Sequence, residues 1–385
     1  MSTPSARATG GPAEAGSSAR PPLRVMHVVT GGFSGATQVA VDIAHGEIAE
    51  GHAVRLVLRR KRQTAPERVQ ALRDSGLTVD LVPGWSNLVT VAALWRLYRQ
   101  WRPDVLVAHG FSDHLWARHA GWLAGVPVMV QVEHNSRERY GRWRLWQTRW
   151  LAQRTAAIVG VSEGVAQALH AQGLPPQRIR AIANGIRTER FDAAADQPWA
   201  ARSDGLVMAA RFAGQKDHAS LLQALALLRD HHGLRPTLHL AGGGKARHAD
   251  SARALCTRLG LDEQVRFLGH VADLPGLLMS QRLCVLSSHY EGMPLSLIEG
   301  MAAGCLAIGS DVPGIRELLR DGDNGRLVPH ADPQALAEVI AQALRDPDGA
   351  AAMAARGRAE ALTHYTLPRM TADYCRLFEA LAPRP

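Results

Sequence analysis

"RVMHVVTGGFSGATQ", residues 24–38, joins an apolar, β-branched run to a glycine-rich turn and the start of a helical pattern. The same order returns along the chain in "HAVRLVL", "LTVDLVP", "PDVLVAH", "VPVMVQV" and "AAIVGV", each followed by an amphipathic stretch. Continuous apolar strands that alternate with helices are typical of a parallel sheet covered by helices on both faces. The first part of the chain is therefore predicted to be a doubly wound α/β domain.

The alternation weakens across residues 184–205, a polar stretch with Pro198 and Gly205, and then returns in "GLVMAAR", "PTLHLAG", "QVRFLG", "QRLCVLSS" and "CLAIGS". We therefore expect two doubly wound Rossmann-like domains with parallel sheets and a cleft between them. Polar residues 1–22 are expected to form a disordered leader and residues 365–385 a C-terminal helix that packs back on the first domain. The two domains are predicted at residues 23–190 and 191–364.

The composition excludes several classes of protein. Of the 385 residues, 46% are hydrophobic and 21% charged, which argues against a disordered chain. No run of 18 apolar residues is available to cross a membrane, and the four scattered cysteines fit a reduced, cytosolic protein. A net charge of +9 and a pI of about 10.0 indicate an anionic partner, for which nucleic acid, anionic lipid and nucleotide phosphates all qualify.

Glycine-rich turns follow two of the predicted strands. Such a turn lets backbone amides approach an anion at a helix N-terminus, although a tight turn without a ligand has the same appearance. In the first of these turns the glycines are spaced as G-G-x-x-G. This differs from the G-x-G-x-x-G dinucleotide fingerprint and argues against a dehydrogenase. The glycines concerned are Gly31, Gly32 and Gly35 after the first strand, and Gly243 within "AGGGKARH", residues 241–248.

Two further positions have competing interpretations. "GVSEG", residues 160–164, matches the nucleophile elbow of α/β-hydrolases, but Ser162 is also well placed to cap the helix that follows. His134, in "QVEHNS", follows an apolar strand, where active-site groups of this fold class project. A packing or surface histidine is the alternative there.

Two carboxylates stand eight positions apart in "EGMPLSLIE", residues 291–299. Pro294 suits the first position of a helix, which places Glu291 in the entry turn and Glu299 inside the helix. Their separation of about 12 Å exceeds the roughly 5 to 9.5 Å of a glycosidase pair. They are better placed to hold the two ends of an extended ligand, with the helix N-terminus directed at phosphates between them. A nucleotide sugar has this layout.

Arg211 and Lys216, in "MAARFAGQKD", lie just beyond the first strand of the second domain. Two cations at a strand end suit a diphosphate, with arginine as a bidentate fork and lysine as a point charge. Taken without the carboxylate motif they are equally compatible with surface charges.

The "EGMPLSLIE" segment resembles the E-x7-E signature of family-4 retaining glycosyltransferases, which have the GT-B fold. The resemblance extends in order and spacing from about Val25 to Leu344 through "VGVSEGVAQAL", "RIRAIANGIRTERF", "AARFAGQKDHASLLQALALL", "VRFLGHVADL" and "GMAAGCLAIGSDVPGIRELLRDGDNGRLV". It implies that Glu291 contacts a donor hexose, Glu299 its ribose, and the two cations its diphosphate. It implies catalytic roles for Glu291, His134, Arg211 and Lys216, and donor binding by Gly31, Gly32, Gly35, Gly243, Gly292, Met293, Pro294, Leu295 and Glu299.

The resemblance also implies an activity: transfer of a hexose from a nucleotide sugar, by default a UDP-sugar, with retention of configuration. The acceptor is expected to be lipid-linked or a polysaccharide, in lipopolysaccharide or exopolysaccharide synthesis at the cytoplasmic face of the inner membrane. We expect no metal or other cofactor and no nucleic-acid partner. The alternatives are a non-catalytic nucleotide-sugar-binding protein and a hydrolase that uses Ser162.

A basic, aromatic segment at residues 136–155 suggests where the protein acts. Its tryptophans lie within about 60° of one another on a helix, a pattern of either an interfacial membrane helix or a helix packed on the sheet. The resemblance favours peripheral contact with an anionic membrane. The residues are Trp143, Trp146 and Trp150, with Arg137, Arg139, Arg142, Arg144, Arg149 and Arg154 against one acid, Glu138.

Overall fold

The computed structural model describes residues 21–62, 64–110, 113–137 and 140–382. Two parallel sheets, each flanked by helices, confirm the predicted pair of doubly wound α/β domains. Of the expected leader, residues 1–22, all but residues 21 and 22 lie outside the described part, as do Glu138 and Arg139.

The first domain contains a seven-stranded sheet in the order β3-β2-β1-β4-β5-β6-β7, with every pairing parallel. Its elements are β1 Arg24–Thr30, α1 Gly35–Ala49, β2 Ala53–Arg59, α2 Pro66–Asp74, β3 Thr78–Val82, α3 Asn87–Trp101, β4 Val105–His109, α4 Asp113–Ala124, β5 Val128–Glu133, α5 Arg142–Ala152, β6 Ala157–Gly160, α6 Glu163–Ala171 and β7 Ile179–Ala181.

The second domain contains a six-stranded sheet in the order β10-β9-β8-β11-β12-β13, again parallel throughout. Two 3-10 segments, Thr188–Asp196 and Trp199–Ala201, lead into it. Its elements are β8 Ser203–Ala209, α7 His218–His232, β9 Leu238–Ala241, α8 Ala246–Arg258, β10 Val265–Gly269, α9 Leu274–Met279, β11 Gln281–Leu286, α10 Leu295–Ala302, β12 Leu306–Ser310, α11 Pro313–Arg316, β13 Arg326–Val328, α12 Pro333–Arg345, α13 Pro347–His364 and α14 Leu367–Leu381.

The central strands show why their sequences read as continuous apolar runs. Every residue of β4, β5 and β12 is buried, because helices cover both faces of each sheet. The three-residue strands β7 and β13 are too short to give a sequence pattern. The linker predicted at residues 184–205 ends slightly earlier than expected, since β8 already begins at Ser203.

Each sheet reverses its winding at one place. In the first sheet β1 pairs with both β2 and β4, and in the second β8 pairs with both β9 and β11. Ligands of open α/β sheets bind at the carboxyl ends of strands beside such a switch point. The predicted site residues follow these strands: the first glycine loop follows β1, Arg211 follows β8, and Glu291 follows β11.

The chain crosses between the domains at two adjacent positions. Ile186 donates its N–H to the carbonyl of Tyr365 at 2.9 Å, and Leu367 donates to the carbonyl of Ile186 at 2.8 Å. Beyond this point α14 packs against α1 of the first domain. Contact is so close that a methyl group on Gly46 of α1 would lie 2.2 Å from Thr371 Oγ1.

Candidate donor-binding cleft

A cleft of about 730 Å³ separates the two sheets and is lined by loops from both domains. Its volume falls in the range of roughly 300–1,000 Å³ that is usual for small-molecule sites. The structure brings most of the predicted site residues to its walls: Gly35, His134, Arg211, Lys216, Glu291, Gly292, Met293, Pro294, Leu295 and Glu299.

Three predicted donor-binding glycines, Gly31, Gly32 and Gly243, are not among the residues that line the cleft. Gly31 donates its N–H to the carbonyl of Arg59 at 2.9 Å, and a methyl group there would come within 2.8 Å of that oxygen. The close approach of the ends of β1 and β2 therefore accounts for this glycine. Gly243 accepts a backbone hydrogen bond from Phe212 at 2.8 Å, so it joins the loops that follow β9 and β8.

Lys216 and Glu291 form an ion pair at the cleft wall, with 2.6 Å between Nζ and Oε1. Their side chains are only 13% and 6% exposed. Lys216 ends the 3-10 turn Gly214–Lys216, and the residue after it, Asp217, caps α7 with its carboxylate. This turn and the loop after β11 together hold the two charges in place.

Backbone and amide contacts fix the loop that carries Glu291. Gln215 Nε2 donates to the carbonyl of Tyr290 at 2.7 Å, which ties the loop to the turn before α7. From the first domain, Ser136 Oγ donates to the carbonyl of Glu291 at 2.6 Å. A methyl group on Gly292 would lie 2.2 Å from the carbonyl oxygen of His134. The absence of a side chain at Gly292 thus lets the two domains meet beside the site.

Glu299 lies within α10, as the motif predicts, although Pro294 is the N-cap and Leu295 the first helical residue. Burial raises the pKa of the Glu299 carboxyl to about 7, and the nearby Arg190, 3.9 Å away, only partly opposes this. Asp42 of the first domain adds to the increase. A carboxyl group so poised accepts hydrogen bonds from ligand hydroxyls once it ionises.

Arg211 differs from Lys216 in its surroundings. It is exposed, lines the cleft, and makes no ion pair with the residues that the structure describes. A guanidinium in this position is available to an anionic ligand without first breaking an internal contact.

His134 follows β5 and is half-buried at the cleft wall, where burial lowers the pKa of its imidazole to about 4. Behind it the structure reveals residues that the sequence reasoning missed, namely His109, His27 and Glu47. They lie on β4, β1 and α1, and come together only through strand pairing. The sequence signals are a histidine among the apolar residues of "RVMHVV" and another at the end of "PDVLVAH".

Ser162 has a structural role. It is 2% exposed, and its Oγ accepts a hydrogen bond from the N–H of Val165 at 3.1 Å, which confirms the predicted helix cap. The carboxylate of Glu317, from the second domain, accepts from the N–H groups of Glu163 and Gly164 at the same helix end. The Ser162 hydroxyl is buried, and the helix N-terminus beside it already binds the Glu317 carboxylate, which argues against the hydrolase alternative.

Within residues 21–382, apart from the gaps given above, no group of three or more histidine, cysteine, aspartate or glutamate side chains is arranged to hold a metal ion. In the same residues no helix has the length and apolar character needed to span a bilayer.

Two facing Rossmann-like domains, with charged side chains at the switch points of both sheets, define a two-domain α/β protein of the GT-B class. Two family models match consecutive parts of the chain: Glycosyltransferase Family 4 at residues 33–190 and Glycosyl transferases group 1 at residues 191–360. The chain belongs to these family-4, group 1 glycosyltransferases.

Individual relatives agree with this assignment. EpsD of Bacillus subtilis strain 168 is 30% identical over 267 residues, which span 66% of this chain and 64% of EpsD. The lipopolysaccharide core biosynthesis glycosyltransferase LpsE of Rhizobium meliloti is 28% identical over 378 residues, 94% of this chain and 100% of LpsE. Among solved structures, Anabaena HepE in complex with UDP-glucose superposes with a TM-score of 0.81 at 21% identity, covering 93% of this chain and 100% of HepE.

Proposed function

We propose that the protein transfers a hexose from a UDP-sugar, with retention of configuration, to a lipid-linked or polysaccharide acceptor in the synthesis of a bacterial surface glycan. The observation that carries the proposal is the buried Lys216–Glu291 pair at the cleft wall, with Arg211 exposed beside it. The name of LpsE and the UDP-glucose complex of HepE support the acceptor class and the donor class.

The charges suit the departure of a nucleoside diphosphate. When the bond between sugar and phosphate breaks, negative charge grows on the diphosphate and positive character on the sugar carbon. Arg211, Lys216 and the first N–H groups of α10 would stabilise the leaving group, since preorganised donors act most strongly where charge develops. In this proposal the acceptor attacks from the face that the diphosphate leaves, so no protein nucleophile and no metal is required.

The carboxylates would hold the rest of the donor. Glu291 accepts hydrogen bonds from hexose hydroxyls, and Glu299, eight positions further along and inside α10, accepts from the ribose. A non-catalytic binder would use the same contacts. It is distinguished by activity alone, because it would bind nucleotide sugars without turning any of them over.

A screen of nucleotide sugars tests this function. The purified protein is incubated with each donor, with and without extracted lipid-linked acceptors, and release of the nucleoside diphosphate is measured. We expect release from one UDP-hexose, and its loss in Glu291→Gln and Arg211→Ala. The matched control is Glu263→Gln, which changes an exposed carboxylate in the second domain and should turn over donor at the wild-type rate. Binding without release for every donor would establish the non-catalytic alternative.

We further propose that α3–α5 of the first domain contact an anionic membrane. Trp143 and Trp146 of α5 are 68% and 55% exposed and stack on each other with 4.8 Å between ring centroids. Trp150 instead packs edge-on against Trp122 at 5.0 Å, so the predicted stripe divides between surface and packing roles. Further exposed apolar side chains lie on or just before α3 and α4, which pack in turn beside α5: Trp85, Leu88, Trp95 and Leu123.

Exposed arginines, Arg142, Arg144 and Arg149, lie on the same helix as Trp143 and Trp146, and this combination favours anionic lipid headgroups. Vesicle sedimentation tests the contact: we expect salt-sensitive binding to anionic vesicles, weakened when Arg142, Arg144 and Arg149 are changed to glutamine. The matched control removes three exposed charges from the second domain and should bind as the wild type does. Equal sedimentation with neutral and anionic vesicles would contradict the proposal. The control residues are Arg235, Arg247 and Arg258.

A further inference from the structure

Three imidazole rings form a continuous hydrogen-bonded file through the first domain. His134 Nε2 lies 3.1 Å from His109 Nδ1, and His109 Nε2 lies 2.9 Å from His27 Nδ1. His109 and His27 are fully buried, and neighbouring rings are stacked at 5.4 and 5.2 Å between centroids. His134 and His109 both line the cleft, but both ring nitrogens of His109 are engaged within the file, so only His134 has a ring nitrogen outside it.

The inner end of the file is a buried carboxyl group. Glu47 Oε2 lies 2.8 Å from His27 Nε2, and neither side chain is exposed to solvent. The charge of Glu47 acts on Tyr374 and Cys375 of α14, the helix that packs against α1. Burial, followed by the charge of Glu47, raises the pKa of the Cys375 thiol to about 12. The file is therefore closed at one end and open only toward the cleft.

The surroundings of Glu47 favour a pair with no net charge. Glu47 lies in the last turn of α1, where the helix dipole disfavours an anion, and its Oε1 has no hydrogen-bond partner in the described residues. His27 is its one ion-pair partner among those residues. A lone buried carboxylate is costly, whereas a carboxyl and imidazole that share one additional proton are neutral together. Either placement of that proton leaves hydrogen on His27 Nδ1.

The hydrogen on His27 Nδ1 determines where the ring hydrogens of His109 and His134 lie. His27 Nδ1–H donates to His109 Nε2. Burial and the charge of His27 hold the pKa of His109 well below its usual range, so that ring is neutral and its single hydrogen is on Nδ1. This hydrogen is donated to His134 Nε2. Because His134 is neutral as well, its own hydrogen must then lie on Nδ1.

We propose that the Glu47–His27–His109 file fixes the tautomer of His134, so that His134 presents an Nδ1–H donor to the ligand in the cleft. Glu47, His27 and His109 are then positioning residues, which act on the ligand only through His134. Glu291, which lines the same cleft from the second domain, is an acceptor when ionised. An Nδ1–H donor on His134 in the first domain therefore allows one hydroxylated ligand to be held from both domains. The role in transfer rests on the proposed function, whereas the tautomer itself does not.

The tautomer can be read directly by long-range ¹H–¹⁵N correlation spectroscopy of the full chain labelled with [¹⁵N]histidine. His134→Gln assigns the signal. We expect the wild-type protein to show hydrogen on Nδ1 of His134 and none on Nε2. Hydrogen on Nε2 with a bare Nδ1 would overturn the proposal. This measurement needs no substrate and no variant of Glu47, so it stands even if no donor is found.

Glu47→Leu removes the inner end of the file. We expect the His134 signal to lose its Nδ1–H form, and kcat for donor turnover to fall about 10- to 100-fold, as when groups that orient metal-binding histidines are removed. The matched control is Tyr374→Phe, which removes a neighbouring hydroxyl that has no partner in the described residues. It should keep both the tautomer and the rate. An unchanged tautomer and kcat in Glu47→Leu would contradict the positioning role.

Discussion

Replacing Lys216 with methionine tests the ion pair on which the proposed donor site depends. The substitution keeps an unbranched apolar side chain of similar length but removes the ammonium group 2.6 Å from Glu291. The carboxylate that remains is only 6% exposed, and removing one partner of a buried pair typically costs about 3–5 kcal/mol. Because the lysine side chain is still 13% exposed, we expect the low end, about 3 kcal/mol of unfolding free energy.

Urea denaturation followed by circular dichroism measures this loss, and a second substitution separates its causes. In the double variant Lys216→Met/Glu291→Gln no buried charge is left without a partner, so stability should return to within about 1 kcal/mol of the wild type. Donor turnover should stay low in both variants, because the diphosphate contact is missing. A single variant within about 0.5 kcal/mol of the wild type, or a double variant as unstable as the sum of the two single ones, would refute the reasoning.

Three further predictions concern Glu299 and Gly292 at the cleft and the helix cap Ser162. The folded protein retains a proton on Glu299 between its ordinary pKa of 4.5 and its folded pKa of about 7, so stability should decrease by about 3 kcal/mol as pH rises through that window. Glu299→Gln should flatten that part of a stability–pH curve, and an unchanged slope would contradict the burial argument. Gly292→Ala places a methyl group 2.2 Å from the carbonyl of His134 and should reduce donor turnover about tenfold or more, with a wider cleft in small-angle scattering. Wild-type turnover would show that the domains need not meet there. Ser162→Ala should cost about 1 kcal/mol in thermal unfolding and leave turnover intact, whereas an inactive but equally stable protein would restore the hydrolase interpretation.

The strands and the cleft walls could be predicted from the sequence because both depend on local patterns. Strands buried on both faces read as apolar runs, and the loops that follow them carry Arg211, Lys216 and Glu291, which the fold brings together. The conformations around Gly31 and Gly243 could not be predicted, since a glycine needed for backbone packing has the same sequence appearance as one that binds a ligand.

The histidine file could not be predicted from the sequence for a different reason. His27 and His109 are 82 positions apart and meet because β1 pairs with β4 in a parallel register that aligns Val28 with Ala108. Spacing along a single helix or strand cannot reveal such a contact. Similarly, the division of the α5 tryptophans between surface and packing depends on where α4 lies, which helical periodicity does not report.

The two domain crossings at Ile186 and Tyr365 make the second domain a cassette within the chain. Residues 187–365 leave and re-enter the first domain at positions joined by hydrogen bonds of 2.9 and 2.8 Å. A chimera that exchanges this segment with that of a relative needs only two junctions, placed side by side, and leaves α1, the histidine file and α14 unchanged. Recombination at these junctions would thus replace Arg211, Lys216, Glu291 and Glu299 in one step, while the cleft wall formed by the first domain keeps its own sequence.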